Sequence, residues 1–158
     1  MFLSETKGLT HWIFFYDGSQ IYAWNVVRNA FFTLIQKKAV KILAVDSVKG
    51  YLFLVDDIQV LRYTFRVNLG EDRMNPSIEL LYDSNITLFK DDSISSIAID
   101  SDQSALYISS DVGITLIIYD GTSPSLPILS SGHQHIFLYE NIYANSIAVN
   151  MLGDLFFS

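Results

Sequence analysis

The sequence predicts an all-β fold made of repeated antiparallel units, and three observations carry that expectation. Leu43-Ala44-Val45-Asp46, Ile97-Ala98-Ile99-Asp100 and Ile147-Ala148-Val149-Asn150 share one pattern: a large apolar residue, Ala, a β-branched residue, then Asp or Asn. The Asp/Asn positions are 54 and 50 residues apart, a spacing that belongs to repeat architectures rather than to one irregular domain. Each copy is followed by a short polar turn and a second apolar run: Tyr51-Leu52-Phe53-Leu54, Ala105-Leu106-Tyr107-Ile108 and Leu155-Phe156-Phe157. Finally, Phe14-Phe15-Tyr16-Asp17-Gly18-Ser19-Gln20-Ile21 aligns without gaps on Phe53-Leu54-Val55-Asp56-Asp57-Ile58-Gln59-Val60, which places a further copy of the second run near the start.

Along the chain the elements read as strand after strand. Trp12 to Tyr16 and Gln20 to Trp24 flank Asp17-Gly18, a hairpin signal because glycine tolerates the positive φ that a tight turn needs. Further β-branched and aromatic runs predict strands at Phe31 to Ile35, Val40 to Val45, Tyr51 to Val55, Val60 to Arg66 and Ile78 to Tyr82, then at Ile94 to Ile99, Ala105 to Ser109, Ile114 to Tyr119 and Ile128 to Ser130. The stretches from Gly70 to Pro76 and from Gly121 to Ser125 read as loops. Between Val26 and Leu43 the apolar residues Val27, Phe31, Leu34 and Ile35 also fit one face of a helix. Strands are preferred there, because Asn29-Ala30 falls where the repeat requires a turn and the β-branched and aromatic content is high.

A four-stranded antiparallel unit cannot cover both of its apolar faces alone, so successive units stack face to face. The arrangement that does this around an axis is the β-propeller. Ala44, Ala98 and Ala148 then sit on the innermost strands, where small side chains relieve crowding, and Asp46, Asp100 and Asn150 end those strands by accepting N–H bonds from the following turn.

At these residues the chain resembles the β-propellers of the YWTD (LDL-receptor-like) and NHL repeat type. The segment from Leu43 to Phe53 looks like that family's strand, Asp-turn and aromatic second strand, and Ser96 to Asp102 looks like the equivalent NHL segment. In place of the Tyr-Trp-Thr-Asp tetrapeptide the chain has Phe53-Leu54-Val55-Asp56 and Tyr107-Ile108-Ser109-Ser110. The resemblance implies a platform for protein or peptide ligands. It also implies a competing possibility, since the gluconolactonase and strictosidine-synthase propellers are enzymes, the former kind with a metal at the axis held by carboxylate and amide side chains.

If each blade runs A-B-C-D, the chain supplies B-C-D, two full blades and A-B, or about three blades, against the four to eight of closed propellers. The expected division is part of blade 1 at 11–37, blade 2 at 39–83, blade 3 at 93–131 and the start of blade 4 at 144–158. An incomplete ring, cut from a longer propeller, is the resulting expectation.

Composition narrows the chemistry. The 158 residues carry 17 Asp+Glu against 10 Lys+Arg, a net charge of −7, and Lys37-Lys38 is the one basic pair, so no nucleic-acid partner is expected. Without cysteine there is no disulfide, thiolate metal site or cysteine nucleophile. Mean hydropathy is +0.29, yet Trp12 to Tyr16, Ala30 to Ile35 and Ile114 to Tyr119 are far shorter than the roughly 18 to 20 residues that span a bilayer, so no membrane span is expected in this segment. Met1 to Lys7 lacks the basic start of a signal peptide.

His133-Gln134-His135 would point two imidazoles to one face of a strand, but no third ligand follows at a recognisable spacing. Asp56-Asp57, Asp91-Asp92 and Asp100-Ser101-Asp102 fall at turns, where Asp forms local hydrogen bonds, and none continues as a calcium loop. No nucleophile elbow, phosphate loop or dinucleotide fingerprint is present. Asn85-Ile86-Thr87 is an acceptor sequon, meaningful in a secreted protein. Tyr16, Tyr22, Trp24, Tyr63 and Tyr139 alternate through strands and read as packing between blades. No catalytic residue, cofactor or metal ligand is assigned. The functional expectation is a non-catalytic platform binding a protein or peptide, part of a receptor or scaffold, with an extracellular segment flanked by other modules as one setting and the gluconolactonase-like enzyme as the alternative.

Overall fold

In the computed structural model, residues 12–68, 76–81, 85–120 and 134–158 are described. Every regular element among them is a strand. Four antiparallel sheets follow one another along the chain. The first is β1 (Trp12–Tyr16), β2 (Gln20–Asn25) and β3 (Ala30–Gln36) in that order. The second runs β4 (Ile42–Asp46), β5 (Tyr51–Val55), β6 (Gln59–Asn68) and β7 (Ser77–Leu80), with β8 (Ile86–Lys90) also pairing with β6. The third is β9 (Ser96–Asp100), β10 (Ala105–Ser110), β11 (Gly113–Ile118) and β12 (Gln134–Glu140), and the fourth is the hairpin of β13 (Ile147–Val149) and β14 (Leu155–Phe157).

The chain forms two compact units, Met1–Leu54 with Arg62–Ile86, and Val55–Leu61 with Thr87–Ser158. In the first unit, alternation along β1–β3 divides the side chains between two faces. Trp12, Ile21, Ala23 and Asn25 are buried on one of them. There Phe14 packs on Phe65 with ring centroids 5.3 Å apart, β1 lies against β4, and β3 lies against β7. The Asp17-Gly18 hairpin forms as its sequence demands: Gly18 takes φ of 100°, and Asp17 N–H donates to the Gln20 carbonyl at 3.2 Å. The helical alternative over 26–43 fails at Asn29, whose φ of 49° turns the chain from β2 into β3.

The second unit is built on an apolar sheet. Leu106, Ile108, Ile114 and Ile117 of β10 and β11 are fully buried, each worth about 1.5–3 kcal/mol relative to exposure. Ala98, Ile114, Ala144 and Ile147 make one cluster, with Tyr107, Val149 and Leu155 packed against it, so the β13–β14 hairpin stacks on one face of the third sheet. At the start of β11, Gly113 has φ of 134°, and a side chain there would meet the Tyr139 carbonyl at 2.0 Å. Only glycine lets β11 and β12 approach this closely, next to the bulge between Ile114 and Thr115.

Three details depart from the sequence expectation. The fourth strand of the second sheet is split: β7 pairs with β6 from Phe65 to Asn68, and β8, in a stretch to which the sequence assigned no strand, pairs with β6 as well. The fourth strand of the third sheet is β12, so that sheet continues past residue 131, while the expected strand Ile128 to Ser130 lies outside the described residues. In the last hairpin Ala148 pairs with Phe156, whereas Ala98 pairs with Tyr107, so the turn after Asn150 is one residue shorter than the turn after Asp100.

Candidate functional site

The repeated Asp and Asn residues are turn caps. Asp46, fully buried, accepts the backbone N–H groups of Val48 and Lys49 at 3.0 and 3.1 Å. Asp100 accepts those of Asp102 and Gln103, both at 3.1 Å. Asn150 accepts those of Leu152 and Asp154 at 2.9 Å each, and its amide also donates to the Asp154 carboxylate. A hydrogen bond to a carboxylate contributes on the order of 1.5–3 kcal/mol, which is reason enough for these side chains without any catalytic part.

A second repeated device gathers loops at the opposite end of the strands. Asp17 and Asp56, paired in the sequence alignment, cap identical turns: each N–H donates to a glutamine carbonyl three residues on, and each carboxylate accepts two N–H groups in return. The residue that follows the last strand of a sheet then bonds to this turn. Lys37 N–H donates to the Ser19 carbonyl, Asp91 N–H to Ile58, and Asn141 N–H to Val112, at 2.9–3.0 Å. β8 therefore ends as β3 and β12 do, which identifies it as the strand that leads into the next repeat.

In the second unit these bonds draw four segments together: the turn 56–59, the connector 91–95, the turn 110–113 and the connector 141–146. Ser93 Oγ lies 2.7 Å from Asp111 Oδ1 and 2.5 Å from Asp91 Oδ1, and Asp111 N–H donates back to Ser93 Oγ. Ser95 and Ser109 each donate a hydroxyl to the buried Ala144 carbonyl at 2.7 Å, and Ile147 N–H donates to Ser96 Oγ. With its backbone held this way, the end of the unit exposes Ile58, Val112, Ile142 and Tyr143, the last 58% accessible. Around them stand Asp57, Asp92, Asp111 and Glu140, all exposed, with the exposed Lys90 at the end of β8. The result is a surface rich in carboxylates, with exposed apolar side chains on a hydrogen-bonded backbone.

The other sequence candidates that are described divide between the two ends of the strands. His11 and His133 lie outside the described residues, and His135 is on β12 opposite Ile117. Asp56-Asp57 and Asp91-Asp92 both belong to the loop end just described, whereas Asp100-Ser101-Asp102 belongs to the capped turn at the other end. Lys37-Lys38 follows β3. Asn85 of the sequon is exposed, and the Thr87 hydroxyl donates to Gln59 Oε1 at 3.2 Å. Among the described residues no group of three or more His, Asp or Glu could hold a metal ion, and no helix is long and apolar enough to cross a membrane. Sequence reasoning overlooked Tyr143 and Ile142. Their signal is two large apolar residues in a segment bounded by Glu140-Asn141 and Asn145-Ser146, outside any alternating pattern.

No protein-family model matches the chain, and no curated protein matches it.

Proposed function

We propose that the four sheets are blades of a β-propeller of the YWTD/NHL kind and that the chain works as a non-catalytic binding platform. The observation that carries this reading is the loop end of the second unit, where Ile58, Val112, Ile142 and Tyr143 stand exposed beside Asp92, Asp111 and Glu140. A large aromatic with apolar neighbours supplies the anchor of a protein interface, and the surrounding charge selects the partner. The ligand is therefore a protein segment or peptide carrying lysine or arginine beside apolar residues. The same turn geometry at Asp17 and Asp56 supports the blade reading, because a capped turn then recurs at the same position after corresponding strands.

A displayed library of random peptides panned on the purified chain tests this. Enrichment of basic-apolar sequences is expected, with binding at least about tenfold weaker to Tyr143→Ser. No enrichment, or enrichment that Tyr143→Ser leaves unchanged, would overturn the reading.

A further inference from the structure

The turn that joins β1 to β2 contains a chemically labile pair. Asp17 is followed by Gly18, and a glycine, having no side chain, leaves its backbone nitrogen unhindered toward the carboxyl of the residue before it. Such a pair closes on itself in a defined way. The Gly18 nitrogen attacks Asp17 Cγ, its proton and the carboxyl hydroxyl leave as water, and a five-membered succinimide forms. Water then adds at the Asp17 backbone carbonyl carbon, the bond from that carbon to the Gly18 nitrogen breaks, and the chain continues through Cγ as an isoaspartyl link. One water leaves and one returns, so the mass is unchanged.

The fold holds this turn by tethers that the aligned turn at Asp56 cannot make. Asp17 Oδ1 accepts the N–H groups of Ser19 and Gln20 at 2.8 Å each, against 3.1 Å for both N–H bonds to Asp56. The Ser19 hydroxyl donates to the same oxygen at 2.9 Å, and the Tyr16 hydroxyl donates to the Gly18 carbonyl at 2.7 Å. At the aligned positions stand Val55 and Ile58, which have no hydroxyl, and there the Gln59 amide donates to Asp56 Oδ2. Asp57 takes the place of Gly18, and its side chain crowds the attacking nitrogen. A Cβ at Gly18 would meet nothing within 4 Å, so crowding does not protect Asp17, and the hydrogen bonds must. They act on the chemistry as well as the geometry, because the carboxyl has to be neutral to lose its hydroxyl as water. The N–H groups of Gln20 and Ser19 hold it ionised, and release from them multiplies the neutral fraction near pH 7 at least about tenfold.

We propose that Asp17-Gly18 is a site of isoaspartate formation, kept closed by the Tyr16 and Ser19 tethers while the hairpin is folded and opened when β1 parts from β2. Refolding does not reverse the conversion. It adds Cβ to the backbone path of the turn and removes the carboxylate that accepts the Ser19 and Gln20 N–H groups, so β1 no longer meets β2 in the register that pairs Tyr16 with Ile21. A converted chain therefore carries a permanent record of having opened. The proposal rests on this hairpin alone and stands or falls apart from the partner-binding reading.

Ageing the 158-residue chain at neutral pH, folded and in concentrated guanidinium chloride, provides the test, with isoaspartate counted at each Asp by peptide mapping and electron-transfer fragmentation. In denaturant, Asp17 and Asp120, the two aspartates followed by glycine, are expected to convert at least about tenfold faster than Asp56. In the folded chain Asp17 should convert at least about tenfold more slowly than in denaturant. Tyr16→Phe combined with Ser19→Ala removes both hydroxyl tethers and should raise the folded rate at Asp17 at least about threefold, with the rate in denaturant unchanged. Circular dichroism checks that the double variant is folded, and Tyr16→Phe alone replaces it if it is not. Equal rates at Asp17 in the folded and denatured chain, a denatured rate no faster than that of Asp56, or a folded rate that loss of the hydroxyls leaves unchanged would each overturn the proposal.

Discussion

At the scale of single residues, the short acidic side chains act as local hydrogen-bond acceptors, and Asp17 shows the electrostatic consequence. The backbone N–H groups of Gln20 and Ser19 hold its carboxyl down from the ordinary 3.8 to about 2. Because the folded value is depressed, the turn is stabilised by the ionised form above the unfolded value near 3.8, and that support is lost as pH falls through about 2. A carbon-detected titration should place the Asp17 midpoint at about 2 in the folded chain and return it toward 3.8 in denaturant. A folded midpoint at 3.8 would mean that the two N–H bonds are absent in solution. The capping part of these residues was legible in the sequence, since Asp or Asn at the end of an apolar run has few other local uses. Tyr143 was not, because exposure of a loop aromatic depends on which segments the backbone bonds bring beside it.

At the scale of elements, hairpins and strand types could be read from composition, but the fourth strands could not. β12 combines His135, Ile136, Phe137, Leu138 and Tyr139, a run with no alternation to mark it as half-buried, and β8 claims a part of β6 that its own sequence does not announce. Pairing in both cases is set by a strand distant in sequence. For β12 the fixing point is Gly113. Gly113→Ala would force a non-glycine residue to φ of 134° and a methyl group into the Tyr139 carbonyl. A loss of at least about 2 kcal/mol is expected in denaturant unfolding, with hydrogen exchange accelerating first in β12. Exchange that stays uniform across β10–β12 would show that the approach of the two strands is not the constraint.

For the molecule as a whole, a composition that reads as one ordinary globular domain conceals two compact units built of strands. Net charge governs its encounters: the chain carries −7, so a basic ligand is attracted at long range. Raising NaCl from about 20 mM to about 500 mM shortens the screening length from tens of ångströms to a few. Binding of a basic peptide to the chain should weaken over that range, and unchanged affinity would point to apolar contacts alone as its source. The apolar faces were visible in the sequence only as strand alternation; which side of a strand is covered, as at Ala98 and Tyr107, follows from the element packed on it.

The Ala144 carbonyl, gripped by Ser95 and Ser109 from 49 and 35 residues away, also has a consequence in time. Hairpins such as β10–β11 close locally and early, whereas a contact spanning so much chain waits until the loops between have been ordered. The bonds of the two serines should therefore form after the folding barrier. Their hydroxyls slow the detachment of the β13–β14 hairpin rather than hasten its arrival, which makes a pair of small side chains the timekeeper for how long the last repeat stays attached.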